Sequence, residues 1–352
     1  DIFAVQDSIS QKIVGVLALH LTGEEQNQLT KKYTADTEAY QLYLKGRYFW
    51  NKITPEGFEK SLEFYRQAIA IDPNYALAYA GLADSYNLLG SYGVVPLKES
   101  HPKARAAAEK ALEIDGELAE AHTSLAAVIA DYYWDWAEAE KHFKQAIALN
   151  PNYPVARNWY SQHLARMGRL DESIEEANRA QTLDPLSPSA IAHVGLALYR
   201  ARRYDEAVAQ LQKAMEIEPN ALDAHIILGF VYVQQGKSED AIAEFQTVAK
   251  LSQRNPNLLA LLGYAYAMAG KSDEAYAILK ELNESKLPAS PFETAMIYIG
   301  LGEREQAFTW LEKAYRERSW QLGFLKVEPI FDPLRRDKRF TDLMRSVKLT
   351  PQ

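Results

Sequence analysis

Residues 222–255, LDAHIILGFVYVQQGKSEDAIAEFQTVAKLSQRN, read as two helices joined by a tight turn. Leu228, Gly229 and Tyr232 share one helical face, Gly236-Lys237-Ser238 interrupts the pattern, and Ala241, Phe245 and Val248 resume it. The same positions return every 34 residues on both sides of this stretch. Pro151, Pro185 and Pro219 form one column, and Ser173, Ala207, Ala241 and Ala275 a second. Gly195, Gly229 and Gly263 form a third, and Gly168, Arg202, Gly236 and Gly270 a fourth. Four independent columns with one period make the chain a repeat array, not the two or three globular domains its 352 residues would otherwise suggest.

The columns carry a packing argument. Small residues such as Gly229 and Ala241 let two antiparallel helices approach closely, while Tyr232 and Phe245 fill the space beside them. One such hairpin cannot bury its own apolar face, but stacking on the next one does. The expected fold is therefore an all-α solenoid whose stability is nearly a sum of repeat and neighbour terms.

Composition narrows the function classes. With 47% apolar and 24% charged residues the chain is a well-folded protein, and its net charge of −8 does not suit tracking a phosphate backbone. The absence of cysteine removes thiol nucleophiles, Cys-ligated zinc, iron–sulfur clusters and disulfides. The longest apolar run near the N-terminus, Ile13 to Leu21, has nine residues, against roughly 20 for a spanning helix. No membrane contact is expected, and the cytoplasm is the expected compartment. The chain begins with Asp1, without a signal-peptide pattern, and reads as a segment or processed product of a longer protein.

The repeat unit, with its L-G-x-x-Y core, a small residue, an aromatic or Leu, then Ala and Pro, resembles the tetratricopeptide repeat family. Eight units fit, at about 39–75, 76–118, 119–153, 154–187, 188–221, 222–255, 256–287 and 288–318. The first has an A-to-B turn stretched around Thr54-Pro55-Glu56-Gly57, and the second a long insertion from Ser91 to Lys103. Gly116, Gln253 and Leu287 stand where the terminal Pro is expected. The strings DIFAVQDSIS from Asp1, AYAGLADSY from Ala78, DYYWDWAEAE from Asp131, FTWLEKAY from Phe308 and LKVEPIFDPLRRDKRF from Leu325 are similar to bacterial regulatory proteins. In those proteins such an array follows a winged-helix, nucleotide-cyclase or protein-kinase domain, often through a TolB-like segment. The resemblance implies a right-handed superhelix, with residues 1–38 as the last helix or linker of a preceding effector domain. Ile9, Ile13, Val16 and Leu17 make an apolar face there, suited to the first repeat.

No P-loop, dinucleotide fingerprint, H-E-x-x-H or nucleophile elbow is present, so the chain is read as non-enzymatic, without cofactor or metal. His122 and His225 share a register on first helices and read as packing residues, while His193 is placed towards the groove. Glu175-Glu176 and the pair Glu138 and Glu140 read as solvated helix faces, and Trp134 and Trp136 as turn or core packing. The stretch 316–352 has nine basic and five acidic residues. Its Phe331, Leu334, Phe340, Leu343 and Met344 make 319–352 the expected cap over the last repeat's open face.

By the same resemblance the first helices line the concave surface, where a peptide or partner helix lies. Register then selects Arg47, Trp50 and Asn51 in the first repeat, Asp84 and Asn87 in the second, and Thr123 and Asp131 in the third. The fourth offers Asn158, Trp159, Gln162 and Arg166; Asn158, Gln162 and Arg166 share a face at i, i+4 and i+8. Tyr199 and Arg200 follow in the fifth, then Ile226, Phe230, Tyr264 and Met296, with Phe230 and Tyr264 also suited to inter-repeat packing. No packing demand of the repeat calls for polar residues at Gln162 and Arg166, so changing them is expected to leave melting almost untouched. The complete carboxylate clamp of co-chaperone repeats is missing. The leading expectation is a protein-interaction scaffold or sensory and assembly module of a bacterial regulator, whose partners are a protein or peptide and an attached N-terminal effector domain, with no nucleic acid bound by this segment. The alternative is a superhelix that senses a small ligand.

Overall fold

The computed structural model describes residues 33–52, 54–285 and 289–350. The apolar face expected over Ile9 to Leu17, and Leu287, lie outside them. Among the described residues the chain is helical throughout, without a strand. In order come α1 Thr37–Trp50, α2 Pro55–Ile71, α3 Ala76–Ser91, α4 Leu97–Ile114, α5 Ala119–Val128 and α6 Trp136–Leu149. Then follow α7 Pro154–Arg166, α8 Leu170–Leu183, α9 Pro188–Arg200, α10 Tyr204–Ile217, α11 Leu222–Gln234 and α12 Ser238–Leu251. The array closes with α13 Pro256–Met268, α14 Ser272–Glu284, α15 Pro291–Gly300 and α16 Arg304–Arg316. Two short 3-10 turns, Trp320–Phe324 and Pro329–Leu334, lead to α17 Lys338–Ser346.

Helix starts follow local chemistry. Asp36 and Thr54 accept from the backbone N–H groups of Ala39 and Gly57 at 2.9 and 3.1 Å, and Pro154, Pro188, Pro256 and Pro291 open their helices, where a missing N–H costs nothing. Between paired helices Gly236 adopts φ +71°, a left-handed turn residue. Arg202 holds the same turn at φ 62° without a glycine's freedom. Part of the expected Ser91–Lys103 insertion is helical, since α4 begins at Leu97, and Ser100 and His101 pack onto Gly90.

The helices form two compact units. The first comprises the described residues up to Val94 together with Ser100–Leu125; in it the buried Tyr65 ring is wedged between Gly46 and Gly81, and Tyr43 packs on Tyr65 and Tyr75 at ring separations of 5.8 and 5.4 Å. The second comprises Val95–Glu99 and the described residues from Ala126 onward, with its main core spread over α11 to α17. There a Cβ on Gly229 would sit 2.7 Å from the Phe245 ring, which is why the column is glycine. Ala207, Ala241 and Ala275 are fully buried. Ala241→Phe is therefore expected to destabilise by roughly 1–3 kcal/mol through overpacking, read as a lowered denaturation midpoint. An unchanged midpoint would show that this column is not a close helix contact.

Candidate binding groove

In the second unit the first helices α7, α9, α11, α13 and α15 lie side by side, and the C-terminal segment runs back across α7 and α9. The Phe324 ring lies 4.5 Å from the Arg166 guanidinium and 3.7 Å from that of Arg200. Arg200 Nε donates to Glu328 Oε2 at 2.9 Å, and its Nη1 donates to Gln162 Oε1. Arg166 pairs with Asp131, both largely buried. Burial pushes the Arg200 pKa down and the Glu328 carboxylate pulls it back. Lys326 Nζ reaches the Met167 carbonyl at 3.2 Å, and Arg202 pairs with Asp332 at 2.8 Å.

Asp131 reaches Arg166 because α5 continues into a π-helical turn, Ile129–Tyr133, that ends on Trp134 at φ 51°. Such turns often mark special sites, and an αL tryptophan is uncommon. Trp134 is buried and stacks on Tyr315 at 5.5 Å, with the Arg318 guanidinium 4.7 Å over its ring. Trp136 Nε1 donates to the Val347 and Lys348 carbonyls, each at 3.1 Å. The two tryptophans thus pack as expected, but against the chain's far end.

The mid-array candidates are brought together by this segment. Gln162, Arg166 and Arg200 meet Phe324 and Glu328, whereas sequence register placed them on an open face. Asn158 and Trp159 are half-buried on the same helix, and Asn158 Oδ1 has no hydrogen-bond partner. Tyr199 and Tyr264 are buried, and Phe230 lies between them and Phe245 at ring separations of 6.1, 6.1 and 5.3 Å. Met296 belongs to the main core, with half-buried Ile226 packed against it. The apolar half of the expected groove is packing.

In the first unit the Arg47 guanidinium lies 5.0 Å from the Trp50 ring, and Trp50 Nε1 is buried without a partner. Asn51 is exposed beyond the end of α1. Asp84 and Asn87 are buried on α3; Ser124 Oγ donates to Asp84 at 2.5 Å, and Asn87 Oδ1 has no partner. Burial raises the Asp84 pKa to about 7 against the pull of Ser124 and Arg47. Thr123 is turned inward, bonded to the Ala119 carbonyl at 2.8 Å.

The other polar residues are structural. His122 and His225 each bond the carbonyl six residues before them, Gly116 at 3.1 Å and Pro219 at 2.9 Å, which accounts for their shared register. His193 bonds the Ser189 carbonyl at 2.7 Å. Glu176 departs from a solvated face: it is buried between Arg157 at 2.8 Å and Arg179 at 2.6 Å. Glu140 likewise meets Arg169 at 2.6 Å and Lys144 at 2.8 Å.

Glu293 on α15 holds the C-terminal segment through Gln321 Nε2 at 2.7 Å, and Ser290 Oγ donates to its other oxygen. Burial raises its pKa to about 8, so the folded chain retains a proton that the unfolded chain has lost above its usual carboxylate pKa. That contribution is complete at acid pH and is lost as pH rises towards 8, by about 1.4 kcal/mol per pH unit. Glu293→Gln keeps an acceptor for Gln321 and supplies an NH₂ for Ser290. It should raise the urea midpoint more at pH 8 than at pH 5, and an equal shift at both would refute a buried neutral carboxyl. Asp84 slopes the same way, whereas His163, held down to about 3 by burial, destabilises the fold as pH falls below its usual range. The single variant isolates Glu293 from both.

Residues 135–193, 198–251 and 234–290 match the tetratricopeptide repeat model. The chain is 27% identical over 153 residues to the transcriptional regulator HilA of Salmonella typhimurium, a match covering 44% of this chain and 28% of HilA. It is 28% identical over 135 residues to the putative adenylate cyclase 3 of Rhizobium meliloti, covering 37% and 22%. The chain thus spans under a third of the curated relatives it matches. Among solved structures, a human IFIT1 dimer with PPP-AAAA is similar at TM-score 0.60 and 16% identity, over 87% of this chain and 72% of that one. The Cut9-Hcn1 hetero-tetramer of the APC/C is similar at 0.58 and 18%, over 88% and 54%. At these identities the structures share the fold. No helix among the described residues is long and apolar enough to cross a membrane.

Proposed function

We propose, from the premise that this is a tetratricopeptide-repeat protein, that it serves as a non-catalytic interaction module of a bacterial regulator, taking an extended segment of a partner protein on its first-helix face. The likeness to part of HilA and part of a putative adenylate cyclase supports an attached effector domain whose output the array serves. A cytoplasmic setting fits that role. The observation that carries the reading is in the first unit, where Trp50 Nε1 and Asn87 Oδ1 are buried without partners. One is a donor and the other an acceptor, the pair of functions that a peptide backbone supplies.

Full-length chain as bait in a bacterial lysate, with captured proteins identified by mass spectrometry, gives the partner for an affinity measurement. Asn51→Ala with Asn87→Ala removes an exposed side chain and a buried one whose truncation leaves a small cavity, so the variant is compared with wild type at a temperature where circular dichroism shows both folded. Binding should weaken about tenfold or more. A double variant that keeps full affinity for each partner would refute the first-unit face as the binding site.

A further inference from the structure

The face of α1 opposite Arg47 and Trp50 is lined by rings and lysines. Leu44 and Tyr48, one turn apart, are 41% and 61% exposed, and Lys45, Phe49 and Lys52 lie beside them at i, i+4 and i+7. Phe49 stacks on Phe64 of α2 at a ring separation of 5.4 Å, and Tyr48 meets Phe49 edge-on at 5.2 Å. Lys52 Nζ lies 4.7 Å from the centre of the Tyr48 ring and 5.0 Å from that of Phe49. Lys60 Nζ lies 5.4 Å from Phe49, and Lys45 Nζ 5.8 Å from Phe64. The Glu56 carboxylate is taken by Lys60 at 2.7 Å. Among the described residues Lys45 and Lys52 pair with no carboxylate, in a chain whose net charge is −8.

Later repeats show what this register packs against. Phe49 stands three residues after Gly46, as Tyr86 stands after Ala83 and Tyr266 after Gly263. At both tyrosines the second helix of the preceding repeat reaches the ring. Arg66 of α2 donates to the Tyr86 hydroxyl at 2.6 Å, and Gln246 of α12 donates to that of Tyr266 at 3.4 Å. Among the described residues the ring and cation contacts of Phe49 come from its own hairpin, Tyr48 and Lys52 on one side and Lys60 and Phe64 on the other. A register that elsewhere receives a helix is here bordered by exposed apolar and cationic side chains.

We propose that this face of α1 and α2 docks an amphipathic helix of a partner protein, which lays apolar side chains on Leu44, Tyr48 and Phe49 and sets carboxylates against Lys45 and Lys52. The site is separate from the Trp50 and Asn87 face, because helical register turns the two sets of α1 residues apart. A helix is the occupant that the equivalent register receives at Tyr86 and Tyr266. Charge selects the kind of helix. Two lysines without counter-ions favour a partner that brings Glu or Asp, and they oppose a second copy, whose isologous contact would set Lys45 and Lys52 against themselves.

The test uses the full chain and two fluorescent helical peptides. Both carry Leu at i, i+3, i+4 and i+7; one has Glu at the flanking positions and its twin has Lys. Anisotropy at low salt should show the Glu peptide binding about tenfold or more tighter than the Lys peptide, with the gap closing in about 1 M salt. Lys45→Glu with Lys52→Glu should reverse the preference, and Tyr48→Ala should weaken both peptides. All three side chains are exposed, so circular dichroism should show the variants folded. Equal binding of the two peptides, or a Glu preference that survives the charge reversal, would overturn the proposal. Tighter binding of a peptide of residues 1–20, DIFAVQDSISQKIVGVLALH, would overturn it too, by making the chain's own N-terminal segment the occupant. Dimerisation lost on Tyr48→Ala would assign the face to a second copy, and an oligothymidylate bound through the same lysines would assign it to nucleic acid; either result refutes the partner helix. Loss of the Glu peptide in the Asn51→Ala, Asn87→Ala variant would place that peptide in the groove instead, so the failure of one site is read apart from the failure of the other.

Discussion

Deleting the residues after Arg318 is expected to unfold much more than the last repeat. In a simple solenoid each unit leans only on its neighbours, and loss of a cap frays one end. Here Leu322, Leu325, Ile330, Phe331, Leu334 and Phe340 are all buried in the main core, and each such side chain contributes about 1.5–3 kcal/mol by burial. Six of them rival the whole margin of about 5–15 kcal/mol by which a domain is usually stable. The same segment also bonds Trp136, Arg200 and Arg202, so its removal strips partners from α6, α9 and the turn after α9 as well as from α15 and α16. The truncated chain should aggregate or unfold at much lower urea, and amide protection should fall in α7 to α9 as well as in α15 and α16. A monomeric truncation that keeps protection in α7 to α9 would show that the long-range contacts carry no stability.

The repeat hairpins were legible because every repeat solves the same packing problem. Gly229 faces Phe245 as Gly195 faces Leu211, and a problem repeated at 34 residues leaves columns in the sequence. The apolar cap residues were legible for a similar reason, since α17 places Phe340, Leu343 and Met344 on one helix face. The closure of the second unit is different. Arg200 meets Glu328 at a separation of 128 residues and Trp136 meets Val347 at 211, and a contact made once has no period to betray it. One signal was present: Arg166 and Arg200 stand 34 apart, two arginines at one register of successive first helices. The π-helical turn at Ile129–Tyr133 was hidden too, because its strained Trp134 is held by Tyr315 and Arg318 from the other end of the unit. Buried Glu176 was missed because an acidic pair on a helix gives no hint that Arg157, from the preceding helix, will cover one member.

Arg166→Ala is expected to cost about 3–5 kcal/mol, the reverse of the near-neutral change that its register suggested. An exposed arginine on a binding face could be removed freely. Arg166 is 5% exposed and its partner Asp131 is 9% exposed, so truncating it leaves a carboxylate buried without its counter-ion, and strips the Phe324 ring of one of its two guanidinium contacts. Gln162→Ala removes only an acceptor of Arg200, which keeps Glu328, and should cost no more than about 0.5–1.5 kcal/mol. The two changes are thus separable in a urea titration, where equal midpoints would contradict the burial of the pair. Adding Asp131→Ala to Arg166→Ala supplies the internal control. If the penalty is the orphaned charge and not a lost attraction, removing the carboxylate should restore part of the stability, with a coupling of about 0.5–3 kcal/mol between the two sites. Strict additivity would mean that the two side chains do not act on each other, and Arg166 would then have to be assigned to Phe324 alone.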